Sequence, residues 1–470
     1  MERSAVGVPS AIPKAGLPSL AAQATVFPEA LRRTWYWTAV ALFLGLLGGI
    51  AIANAREYPI YGGYDEAEHQ RYSDLVIHHG HIPGRAESVE FDSPPGFYFV
   101  AGVGTLIGEQ LGAADPWLVG RGLNVLWLLG TAVLVLLAAR LVFPGRPAVH
   151  LAALGFACFV PVVLKVGAMF HPEPLSLFLS TAGLYLGARM LVRRDFGIWP
   201  AVLLGALLGA AQLVRAFTLW TFAAVLLALL AVVLAGYAPR RAVLTAAAVV
   251  VAATALVAGP WYVRQWIEYS NPVVFDRAAP DQPLWERRPV AFYTGLGLPD
   301  VFTDPIRPNY VNNVLPTLYS DVWGDYFGNY AWGAPTPPSA DVDRQLTVQS
   351  ELGVVPTALA LGGWLVLLAG SLRRRALRRD PARLLVALLP LLGVLGFLFF
   401  TVGYPSSDGD VLKATYLLTT VPGWALAFGF AAGGLARNLA LRLALGVFLV
   451  GSLVLDLGFL IFHSPLAGVF

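Results

Sequence analysis

Apolar runs of about twenty residues recur along most of the chain, with polar residues gathered between them. They lie near 35–55, 116–141, 148–168, 174–192, 197–214, 217–237, 242–260, 353–372, 382–402, 413–434 and 441–463. As helices, such runs match a hydrocarbon core of about 30 Å. The pattern predicts an all-α integral membrane protein with eleven transmembrane helices. A further run, Phe97–Ile107, carries Gly102 and Gly104 and ends at Glu109-Gln110. Its eleven residues reach only roughly 17 Å at about 1.5 Å each, so an interfacial or re-entrant helix is expected there.

Basic residues give the spans a direction. Arg32-Arg33 precede the first run, which places the N-terminus in the cytoplasm. With 97–107 not crossing, Arg140, Arg146, Arg193-Arg194, Arg240-Arg241, Arg373 to Arg375, Arg378-Arg379, Arg437 and Arg442 all fall on that side. The expected topology is N-in, C-out. It divides the chain into a disordered cytoplasmic tail (1–34), a transmembrane module (35–260) carrying the first external loop (56–115), an external loop subdomain (261–352) and C-terminal helices (353–470). The large external loop precedes the last four spans, and no internal repeat is visible.

Composition agrees. Of 470 residues, 57% are hydrophobic and only 13% charged, against about 25% charged in soluble domains. The bilayer is therefore a partner. With a net charge of +3 and no basic tract with interleaved aromatics, nucleic acid is excluded as one. The single cysteine, Cys158, excludes an internal disulfide framework.

The topology turns one polar stretch, Gly62 to Leu75 (GGYDEAEHQRYSDL), outward. Asp65 reads as a helix N-cap, with Glu68 completing a capping-box pattern. Asp65, His69, Tyr72 and Val76 then share one helical face, flanked by Glu66 and Arg71, and Gly80 and Pro83 end the helix. Other polar groups sit at the same level: His171-Pro172-Glu173, Arg215 in a tight turn, and Lys165 near the outer end of the third span. His78, His79 and His81 fit no standard zinc spacing. Asp456, alone in the last span, is functional by default or a helix–helix hydrogen bond.

Four motifs in order carry a family resemblance. Asp65-Glu66 with His69 leads into Pro94-Pro95 and the aromatic Phe97-Tyr98-Phe99. Then follow His171-Pro172-Glu173-Pro174, GPWYVRQWIEYSNP (Gly259 to Pro272) and GDVLKATYLLTTVP (Gly409 to Pro422). Together they resemble the polytopic GT-C glycosyltransferases, the superfamily of protein O-mannosyltransferases and lipid A aminoarabinose transferases. Glu173 stands where that superfamily usually has Asp, and Lys413 where it often has Arg.

The resemblance implies a polyprenyl-phosphate sugar as donor and an extracytoplasmic glycan, lipid or protein as acceptor. It implies a bacterial plasma membrane with the site facing outside. Asp65 is then the general base of an inverting transfer, with Glu66 orienting it or the acceptor. His171 and Glu173 form a second acidic site. Arg264, Lys413, Arg215 and Arg71 are candidates for the donor phosphate. His69, Tyr72, Tyr98, Trp323 and Tyr416 are candidates for substrate contact. The resemblance fixes no cofactor; a divalent metal is compatible with it and would sit on Asp65 and Glu173. The rival readings are a lipid-linked glycan flippase, a small-molecule transporter, or a glycan polymerase or ligase. Transporters commonly carry internal repeats and mid-membrane charges; here the polar groups gather at the outer ends of spans.

Overall fold

The structure, a computed structural model, describes residues 29–59, 62–273, 289–296, 302–303, 305, 313–325, 340–403 and 412–462. Among them the chain is helical, without a strand. Among the described residues, nine helices are long and apolar enough to cross a bilayer: those within Arg33–Glu57, Trp117–Val142, Glu173–Arg193, Ala216–Ala235, Arg240–Tyr269, Asp343–Ser371, Pro381–Val402, Ala414–Leu435 and Leu439–Leu460.

The third run forms a bent helix pair, a tenth crossing if its two parts make one span. Pro147–Phe159 and Pro161–Gly167 meet at 47°. Val160, before the proline, is extended (φ −64°, ψ 120°), because the Pro161 ring excludes the helical conformation for its neighbour. The count of eleven also needs Ile198–Val214, whose 17 residues span about 26 Å. The doubtful run forms Gly96–Gln110, a 15-residue helix of about 23 Å, which is not among the nine.

Small residues let the helices approach. A side chain on Gly205 or Gly209 would collide with Val250 or Val257 of the facing span, and one on Gly429 or Gly433 with Val149. In lipid, where tails are as apolar as leucine, such close van der Waals contact holds helices together. One buried cluster runs through the spans around Val135, Leu184, Leu208, Val225 and Leu385. A second joins the first span, the bent pair, Val314–Trp323 and the 3-10 helix Ala414–Thr420 through Tyr58, Tyr64, Leu164, Trp323, Ala414 and Leu418. This second cluster floors the polar site.

Two helix ends differ from the apolar runs. The first helix starts at Glu29, ahead of the run at 35–55: Ala30, Leu31, Arg32 and Arg33 are good helix formers. The seventh run's helix continues through Pro260 to Tyr269, past the boundary expected at 261, since an internal proline costs one hydrogen bond of a long ladder. The tail 1–28, Trp285, Tyr326, Trp332, the Pro335–Pro338 corner, Asp408 and Asp410 lie outside the described residues.

Candidate active site

The site is built on the turn Gly63-Tyr64-Asp65. Gly63 lies against Met169, where a side chain would overlap. Asp65 is in the left-handed region (φ 51°, ψ 17°) at the start of the juxtamembrane helix Glu66–His78, a conformation costing a non-glycine residue on the order of 1 kcal/mol. It makes no side-chain cap hydrogen bond, which corrects the expected capping box. A capping side chain reaches the N2 or N3 amide from extended backbone. Here the carboxylate instead receives Lys413 Nζ at 2.8 Å. The pair is lopsided: the Lys413 side chain is 8% exposed and that of Asp65 43%. The Lys413 ammonium holds the Asp65 carboxyl well below the usual range, against a smaller opposing effect of burial.

Behind Asp65 stands an aromatic and histidine wall. Tyr72 stacks on Tyr98 (3.6 Å between centroids) and donates its hydroxyl to the Ser93 carbonyl (3.1 Å). His69 Nδ1 lies 3.0 Å from the Tyr98 hydroxyl. Its Nε2 is buried and without a hydrogen-bond partner among the described residues. Burial lowers the His69 pKa to about 4, so the ring is neutral at pH 7. His171 approaches it edge-on at 4.7 Å.

A second ionic group lies beside this wall. His171 Nδ1 is 2.5 Å from Glu173 Oε2, and Arg215 Nε donates to Glu173 Oε1 at 2.8 Å. Arg215 also donates to Ser93 Oγ (3.2 Å), lies 4.0 Å from Glu90, and stands 5.7 Å over the ring of Tyr416. Glu66 faces inward: its carboxylate accepts from Arg121 (3.4 Å) and from the Phe170 amide (3.0 Å). Burial pushes its pKa up despite both contacts.

A third group lies beneath Tyr64. Asp321 on the helix Val314–Trp323 takes Lys165 Nζ at 2.6 Å and the Tyr64 hydroxyl at 2.8 Å on Oδ1. Its Oδ2 accepts the Ala414 amide at 2.7 Å. Lys165 also reaches Asp325 at 3.4 Å.

Asp65, Glu66, His69, Tyr72, Tyr98, His171, Glu173, Arg215, Lys413 and Tyr416 thus meet in one connected region. Three expected residues stand apart. Arg71 is exposed. Arg264 pairs with Glu268 of its own helix at 2.9 Å, although its Nη1 is buried and unbonded among the described residues. Trp323 corrects the expectation of a sugar platform. It is 9% exposed, gives its indole N–H to Thr357 at 2.7 Å, and packs on Gly353.

Sequence reasoning missed Arg121, Glu90, Tyr64 and Asp321. Arg121 had a signal, a lone charge in an apolar run; Tyr64 and Asp321 had none, because their partners are distant in the chain, and Glu90, which accepts from nearby Ser93, meets Arg215 only through the fold. Among the described residues no group of three His, Cys, Asp or Glu side chains could hold a metal ion. The Glu173 oxygens face Arg215 and His171, and Lys413 occupies Asp65.

No protein-family model matches the chain, and no curated protein matches it in sequence. Solved structures do. The Archaeoglobus fulgidus oligosaccharyltransferase in its apo form superposes with a TM-score of 0.51 at 14% identity, over 92% of this chain and 55% of that one. The same enzyme tethered to an acceptor peptide with the NVT sequon gives 0.50 at 13%, over 90% and 53%. ArnT from Cupriavidus metallidurans gives 0.40 at 16%, over 84% and 78%. The fold is that of the GT-C glycosyltransferases, as the motif order anticipated. The chain spans about half the length of the oligosaccharyltransferase it resembles.

Proposed function

We propose that this protein is an inverting membrane glycosyltransferase. It moves one sugar from a polyprenyl phosphate to an acceptor on the extracytoplasmic side, with Asp65 as general base. The topology is eleven spans, N-in and C-out, which puts every charged group of the site outside. The observation that carries the reading is Asp65 itself. It is held in an unfavourable backbone conformation with its carboxylate open to solvent and a lysine on one oxygen, inside a GT-C fold.

The acceptor hydroxyl attacks the anomeric carbon as the bond from that carbon to the phosphate oxygen breaks. Its proton passes to Asp65, and the bonding pair stays on the phosphate. One base opposite the leaving group gives inversion. A positioned base is worth about 10²- to 10⁴-fold. A carboxylate locked to Lys413 is a weak base, so the pair opens in the reaction. The donor phosphate draws Lys413 away, raises the basicity of Asp65, and gains a cation where charge develops. Arg215 is the further cation of the site. Neutral His69, with its free Nε2, suits contact with a sugar or acceptor hydroxyl.

The test uses the full chain in lipid nanodiscs with radiolabelled polyprenyl-phosphate sugars and an envelope extract as acceptor. Label should leave the lipid in wild type and stay on it in Asp65→Asn, with donor binding retained. Near-full transfer by Asp65→Asn would falsify the assignment.

A further inference from the structure

Asp321 sits on a helix of the large external loop, away from every motif that suggested the site. It is fully buried, and its contacts span the protein. Oδ1 accepts from Tyr64, 257 residues away, and from Lys165, 156 residues away. Oδ2 accepts from the amide of Ala414. Tyr64 precedes Asp65, and Ala414 follows Lys413. One carboxylate therefore grips the neighbours of both members of the Asp65–Lys413 pair.

We infer that Asp321 is a positioning residue for that pair, setting Lys413 against Asp65 by clamping the two chain segments that carry them. The inference rests on the reading of Asp65 and Lys413 given above. Consecutive Cα atoms are about 3.8 Å apart, so anchoring Tyr64 and Ala414 leaves their neighbours little freedom.

Lys165 completes the device. A lone carboxylate here would compete with Asp65 for Lys413. The Lys165 ammonium, 2.6 Å from Asp321 Oδ1 and shared with Asp325 at 3.4 Å, offsets that charge and lessens the competition for Lys413. Both ammonium groups lie over the Tyr64 ring, Lys165 at 5.4 Å and Lys413 at 5.5 Å from its centroid, so the ring's π-system interacts with each. Asp321 touches no reacting atom; it acts through Lys413 and Asp65.

Two variants of the full chain in nanodiscs test this. Asp321→Asn keeps the shape but replaces one acceptor by a donor. Tyr64→Phe removes a single hydroxyl, leaves no buried charge unpaired, and so reads the effect if Asp321→Asn fails to fold. A positioning role predicts a fall in kcat of about 10²-fold for Asp321→Asn, the scale of a misplacement of about 1 Å. It predicts about tenfold for Tyr64→Phe, the scale of one lost hydrogen bond. The donor KM should stay within about twofold in both.

The acid limb of kcat should also move to higher pH in both variants. Lys413 from the 3-10 segment is the largest influence holding Asp65 ionised, with His69 from the juxtamembrane helix and His171 from the loop before Glu173 adding to it. A displaced Lys413 holds the carboxylate less. Hydrogen exchange across 412–420 gives an activity-free readout and should quicken in Asp321→Asn. If exchange quickens while kcat and the acid limb stay at wild-type values, Asp321 merely holds the fold and the positioning role is overturned. If wild type releases sugar from no polyprenyl-phosphate donor, the transferase reading fails, and the positioning role fails with it.

Discussion

Two lysine–aspartate pairs flank the ring of Tyr64, and their surroundings are opposite. Lys165 and Asp321 are both fully buried, and the carboxylate accepts from a lysine, a tyrosine and a backbone amide. In the Lys413–Asp65 pair the lysine is nearly buried but the aspartate side is open. Two charges removed from water repay that cost only when their remaining hydrogen-bonding capacity is also met. The inner pair meets this condition, so it acts as structure. The outer pair leaves its carboxylate incompletely enclosed on a conformation the backbone disfavours, and strain of that kind gathers at reacting positions. On the proposed mechanism, the same two residue types serve as an anchor or as chemistry, according to how completely the fold encloses them.

Substitutions can break this contrast, beginning with the largest expected effect. Asp65→Asn should lower the transfer rate by about 10²- to 10⁴-fold, or about 3–5 kcal/mol of barrier. Its thermal midpoint in nanodiscs should fall less than that of Lys165→Met, because the asparagine oxygen can still accept from Lys413 and that side of the pair is open to water. A large loss of stability there would erase the distinction between the pairs.

Lys165→Met should do the reverse. It removes the buried cation that Asp321 shares with Asp325 and should cost about 3–5 kcal/mol of stability, read as a fall in thermal midpoint. Lys165→Met combined with Asp321→Leu should recover part of that loss. If the double variant is less stable than the single one, the inner pair is not the anchor described.

Lys413→Met sharpens the outer pair. Activity should fall by about 10²- to 10³-fold, as for one lost electrostatic stabiliser. The acid limb of the residual rate should also rise in pH. Asp65 is depressed mainly by Lys413, so wild type stays ionised below the ordinary aspartate value of about 3.9. Without the lysine, the carboxylate protonates as pH falls toward that value and activity is lost earlier. An unmoved limb would mean that another group titrates.

The smallest effect concerns His69, on the wall behind both pairs. Its folded pKa of about 4 lies below the unfolded value of about 6.5. The unfolded chain therefore binds the proton more readily, and stability is lost as pH falls from about 6.5 toward 4. At about 1.4 kcal/mol per unit the loss is on the order of 3 kcal/mol. His69→Gln should flatten that part of the stability profile in a pH series of thermal melts.

The span pattern was legible because a bilayer imposes a length of about 20 apolar residues on any crossing helix, and each run found a helix. The shared face of Asp65, His69 and Tyr72 was legible because helical spacing is local. The motif order anticipated the fold that the oligosaccharyltransferase shares. Trp323 misled: an aromatic in an acidic stretch looks alike in sequence whether it faces a sugar or, as here, gives its N–H to Thr357. The Asp65 cap misled too, since a capping pattern does not encode a positive φ.

By itself, then, the sequence determined what the membrane and the helical period dictate: the helices, the polar level at which the chemistry gathers, and one face of the first external helix. Those follow from forces acting within about 20 consecutive residues. Only the tertiary structure decided that Lys413 meets Asp65 across 348 residues, that Arg215 meets Glu173 across 42, and that Asp321 gathers Tyr64, Lys165 and Ala414. Ion pairs between helices have no sequence period. Their choice of partner is set by which buried charge has no other means of neutralisation once the helices have packed.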